Sequence, residues 1–130
     1  MVGMVDFRPY YQYLYVSLHG EATRLPNGSW ETDGGAWELR GPCREETNGK
    51  GTTIHTADGR TLAFSSLVQL PAGTPRTDEG TEVLVSRETL DPSKLYDPDF
   101  LSAAKSSGLI VAHGVCLKYD FGRLHCRMWI

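Results

Sequence analysis

Residues 52–86, TTIHTADGRTLAFSSLVQLPAGTPRTDEGTEVLVS, decide the fold class, because they read as three strands with two unlike connections. Asp58-Gly59 supplies the positive φ that a tight hairpin turn needs. From Leu62 to Leu70 the side chains alternate. Leu62, Phe64, Val68 and Leu70 take one face and Thr61, Ser65 and Gln69 the other, the pattern of a half-buried antiparallel strand. Pro71 to Thr81 then brings two prolines, two glycines and charges of both signs, a composition that predicts a long projecting loop before the strand that ends at Ser86.

Toward the N-terminus, Tyr10–Leu18 (YYQYLYVSL) alternates Tyr11, Tyr13 and Tyr15 against Leu14, Val16 and Leu18. Both faces of such a strand need cover, as in the central strand of a barrel or sandwich. Tyrosine is also enriched at interfaces, so the tyrosine face is a candidate for meeting another subunit. Residues 1–9, with Phe7 and Pro9, suit an extended N-terminal arm that is either frayed or docked on something, and residues 10–130 are expected to form a single β-domain. Turn residues crowd around Trp30 between His19 and Gly35. Ala36–Arg40 is a short strand with Trp37 and Leu39 on one side, and residues 41–51 interrupt it.

Toward the C-terminus, Asp97 as N-cap and Pro98 at the first helical position open one short helix, about 98–106, which Gly108 stops. Leu109–Asp120 and Arg123–Ile130 form a hairpin with a loop of two or four residues. Pairing Tyr119 with Leu124, Leu117 with Cys126 and Val115 with Met128 matches apolar faces. Ile130 is expected to lie within the packed sheet.

The 130 residues suffice for one core without metals or disulfides. No apolar run reaches the roughly 20 residues that span a bilayer, and the start lacks the features of a secretory signal, so the expected site of synthesis is the cytosol. A net charge of −3 without a basic run argues against specific DNA readout. Three cysteines, Cys43, Cys116 and Cys126, with no C-x-x-C spacing suit reduced, buried thiols.

His113, Cys116, His125 and Cys126 are zinc-ligand types, but odd spacings send them to opposite strand faces, so no metal site is expected. Neither cysteine sits at an irregular strand end that would present a nucleophile. Glu45 with Glu46 and Asp78 with Glu79 lie in loop sequence without an apolar pocket signal, and no glycine-rich phosphate cradle occurs. No catalytic residue and no cofactor are expected.

Taken in order, NGSWETDGG (27–35), CREE (43–46), TIHTADGRT (53–61), LVQLP (67–71), EGTEVLV (79–85) and GRLHCRMWI (122–130) resemble the small head-closure or head-tail connector (stopper) proteins of tailed bacteriophages. The resemblance implies a small antiparallel β-barrel that assembles as a homo-oligomeric ring. It implies portal or adaptor and tail proteins as partners, packaged DNA sealed behind the ring or passing through it, and a place in the virion after assembly in the host cytoplasm. Phe7, Tyr11, Tyr13 and Tyr15, with Thr74, Arg76, Asp78 and Glu79 of the 71–81 loop, are then the interface candidates. The segment from Thr89 to Gly108 departs from the simplest family pattern. The alternative reading is a small carbohydrate- or peptide-binding β-module using exposed Trp30, Trp37 or Trp129.

Overall fold

The computed structural model describes residues 9–18, 22–24, 30–32, 36–49, 51–55 and 59–130, with backbone alone for 22–24, 30–32 and 36; Phe7 and the rest of the arm before Pro9 lie outside this set. The strands are β1 (Gln12–Leu18), β2 (Ala22–Arg24), β3 (Trp30–Thr32), β4 (Ala36–Thr47), β5 (Thr53–His55) and β6 (Thr61–Ala63). They continue as β7 (Ser66–Pro71), β8 (Glu82–Ser86), β9 (Ile110–Val115), β10 (Lys118–Phe121) and β11 (His125–Trp129). A 3₁₀ turn (Pro92–Tyr96) and helix α1 (Pro98–Ser106) lie between β8 and β9.

The chain is all-β with one short helix. Seven strands form one antiparallel sheet in the order β10-β11-β7-β4-β1-β8-β9, while β2-β3 and β5-β6 are separate two-stranded ribbons. The two edge strands, β9 and β10, are consecutive in the chain. At the corner between them, the Cys116 amide donates to the Thr81 carbonyl and its carbonyl accepts from Gly80, both at 2.8 Å, while the Leu117 amide donates to Trp129 at 2.7 Å. Neighbouring residues therefore pair with opposite ends of the sheet, so the sheet is strongly curled. Gly114 of β9 lies so near the far end that a Cβ there would sit 3.8 Å from Ile130 Cβ.

The concave side holds the core. Leu14 and Val16 of β1, Val68 and Leu70 of β7, Val83 and Val85 of β8, and Cys126 and Met128 of β11 meet there with Cys43, Cys116, Tyr119 and Ile130. Burying each Leu, Val or Met contributes roughly 1.5–3 kcal/mol. The convex side of β1 and β8 is covered by the inserted segment: Tyr15, Trp37, Leu84 and Ile110 pack with Leu95 of the 3₁₀ turn and Ala104 of α1. Both faces of β1 are thus covered, the second by the chain's own insertion.

Helix α1 has the bounds read from the sequence, and the Asp97 carboxylate accepts from the Asp99 amide at 2.9 Å. Other expectations need correcting. Gly41-Pro42 does not end the strand begun at Ala36. Leu14 pairs with Gly41 and Tyr15 with Leu39, which leaves Arg40 as an extra residue, and Gly41 takes φ +151°. A bulge bends a strand without ending it, and proline is tolerated beside one. The Leu62–Leu70 strand breaks at Phe64-Ser65, where the amides of Ser65 and Ser66 both turn to the Ile130 carbonyl at 2.7 and 3.1 Å. In the β5–β6 hairpin His55 pairs with Thr61, so Gly59, at φ +85°, sits in a longer loop; Asp58 lies outside the described residues.

The C-terminal hairpin is displaced as well. Tyr119 pairs with Met128 and Phe121 with Cys126, leaving Gly122–His125 as a four-residue loop. The side-chain period of a strand is two, so an even shift keeps every face and the pattern cannot choose between such registers. The turn chooses: a Cβ on Gly122 would meet the His125 carbonyl oxygen at 2.1 Å, so only glycine allows this close crossing.

Candidate functional site

The 71–81 loop does not project freely. It folds back over one end of the curled sheet. Thr74 and Thr77 are buried within it, Thr77 at 2% exposure. The Thr74 amide and hydroxyl both donate to the Pro71 carbonyl, at 3.2 and 2.7 Å, and the Tyr119 hydroxyl donates to the Thr74 carbonyl at 3.4 Å. The Cys116 thiol lies 3.8 Å from the Thr77 carbonyl, and Arg40 Nη1 donates to the Arg76 carbonyl at 2.9 Å. Arg76, Asp78 and Glu79 face solvent. The Arg76–Asp78 pair, at 3.8 Å and exposed, contributes little.

A cavity of about 270 Å³ lies beneath this loop, between Ser17 of β1, Arg40 of β4, and Arg76, Thr77, Asp78 and Thr81. Arg40 reaches it because the Gly41 bulge sets it out of register with its neighbours. Two buried polar atoms of these lining residues, Arg40 Nε and Thr77 Oγ1, have no hydrogen-bond partner and no surface open to water. Leaving such a group unsatisfied costs about 1–3 kcal/mol.

Beside the loop stands the tip of the β10–β11 hairpin. His125 is opposite Pro71, which sets the tip against the start of the loop, and Phe121 and Leu124 are exposed there at 61% and 85%. The Phe121 ring meets Tyr119 edge-on with centroids 5.2 Å apart, so the exposed ring is braced by the core.

The structure separates the three tyrosines that the sequence placed together. Tyr11 is exposed at 64%, Tyr13 is half-buried against the inserted segment, and Tyr15 is fully buried. Tyr15 is therefore not a surface residue of this chain. Its hydroxyl donates to the Leu90 carbonyl at 3.1 Å and accepts from the Leu90 amide at 2.6 Å, which pins the start of the insertion. Thr74 is likewise turned inward. Sequence reasoning missed Arg40, Thr77, Phe121 and Leu124. The Gly41-Pro42 pair after Arg40 is the available signal for a bulge, and the sequence places Phe121 only in the loop of the last hairpin.

Among the described residues the cysteines and histidines do not converge. Cys43, Cys116 and Cys126 are free and buried. Burial, aided by the Glu45 carboxylate, pushes the Cys43 thiol up, and burial with Glu79 pushes Cys116 up to about 12. Such thiols are poor nucleophiles at neutral pH. His113 points away from them, 3.1 Å from Glu82 and edge-on to Trp37. Among the described residues no group of three or more His, Cys, Asp or Glu could hold a metal ion.

Trp37 and Trp129 are buried, and Lys118 and Arg127 lie over the Trp129 ring at 5.4 and 5.3 Å. Neither indole offers an open stacking face; the Trp30 side chain lies outside the described residues. No helix among the described residues is long and apolar enough to cross a membrane. No protein-family model, curated protein or solved structure matches the chain.

Proposed function

We propose that this chain is a structural virion protein, a ring-forming head-closure or head-tail connector component that seals packaged DNA and gives the tail a docking surface. The observation that carries the reading is the pair of exposed apolar side chains, Phe121 and Leu124, at a hairpin tip braced by the core. Adjacent exposed apolar side chains at one end of a small domain are suited to docking on protein. The interior is filled by side chains, so a DNA conduit would run between copies in a ring and not through one curled sheet. Arg76, Asp78 and Glu79 present both signs of charge beside the tip, which suits sliding contact with DNA better than a grip on it. A ring needs two different patches that meet head to tail, and exposed Tyr11 is the candidate for the second.

Negative-stain imaging and native mass spectrometry of the full chain mixed with the portal complex of the same virus test the proposal. A closed, symmetric ring on the portal is the expected result. A chain that stays monomeric at every concentration, with portal present, overturns it.

A further inference from the structure

We propose that the cavity beneath the 71–81 loop is a binding site for a small oxyanion, a carboxylate or phosphate group, received by the Arg40 guanidinium and the Thr77 hydroxyl. The inference goes beyond the assembly reading and does not depend on it. Arg40 carries five N–H donors in a planar fork that matches an oxyanion. One of its nitrogens is held by the Arg76 carbonyl, and its Nε faces no acceptor. Asp78, the carboxylate on the cavity wall, is 91% exposed and pairs with Arg76, so it does not neutralise Arg40.

Thr77 is the second observation. Its side chain is almost wholly buried and lines the same cavity, and its hydroxyl has no partner. A methyl-bearing residue of equal shape would fill that space without the polar group. Ser17 and Thr81, both hydroxyl-bearing, line the same cavity. Both orphan atoms are shut off from water in the resting chain, where Arg40 holds the Arg76 carbonyl, so binding would require the exposed loop residues around Arg76 to shift and open them to the cavity.

Thermal denaturation and isothermal titration of the full chain with sodium phosphate and with sodium acetate, at ionic strength matched with sodium chloride, test the site. The expected result is saturable binding of at least one anion. Thr77→Val should weaken it by about tenfold or more, the loss expected for one charge-assisted hydrogen bond. The same substitution should leave the melting temperature of the free protein equal or higher. Arg40→Lys, which keeps the charge and loses the fork, should weaken binding similarly. Binding of phosphate alone identifies a phosphate-bearing ligand, and binding of acetate identifies an acidic side chain or chain terminus. A response to both anions no greater than to chloride overturns the proposal, as does binding unchanged in both variants.

Discussion

Tyr15 shows how one side chain can serve opposite ends that a sequence pattern cannot separate. Its ring fills the convex cluster and its hydroxyl holds both backbone groups of Leu90, so it anchors the insertion to the sheet. Tyr15→Phe keeps the ring and strands two backbone groups. We expect a loss of about 1–3 kcal/mol in urea denaturation, with the secondary structure unchanged by circular dichroism. Three buried groups contribute to a loss of stability at alkaline pH. Cys43, Cys116 and Tyr119 all have their ionisation raised above the ordinary value, by burial first. They therefore stabilise the folded chain fully below the unfolded-state values. That contribution falls as pH rises from 9.0, and for Cys116 it is gone by about 12. The urea midpoint should hold steady near neutrality and fall steadily above about pH 9; a midpoint that is flat through this range would contradict the buried thiols and phenol.

At the scale of elements, the insertion between β8 and β9 is a cover, and its sequence signals were strong because they are local. Asp97, Pro98 and Gly108 specify a start and a stop whatever lies around them. What the helix covers depends on distant residues, since Tyr15, Trp37 and Leu84 come from three different strands. Asp97→Ala should cost about 1 kcal/mol by removing the cap. The fraying should admit water to Trp37 and shift its emission to the red in fluorescence; unchanged emission with lowered stability would place the loss elsewhere. Strand β4 shows the reverse case. Its Gly41-Pro42 pair looks like a terminator, yet pairing with β1 on one side and then β7 carries the strand through a bulge. The tertiary partners overrode local turn chemistry there.

For the whole molecule, the curl of the sheet brings the 71–81 loop, the Arg40 bulge and the β10–β11 tip to one end. If that end is the docking surface, Phe121→Ser with Leu124→Ser should abolish ring incorporation. The melting temperature should stay within a few degrees, because exposed side chains contribute little to folding. Ring formation that survives the double substitution would move the interface to another face. By itself the sequence determined the all-β class, helix Pro98–Ser106, the two covered faces of the first strand and the buried cysteines, because each follows from periodicity, composition or a cap within a few residues. Only the tertiary structure decided the register of the last hairpin, the inward turn of Tyr15 and Thr74, and the placing of Arg40 and Thr77 on one cavity. Strand alternation repeats every two residues and is blind to such shifts, and residues 37 positions apart in the chain meet only when the sheet has curled.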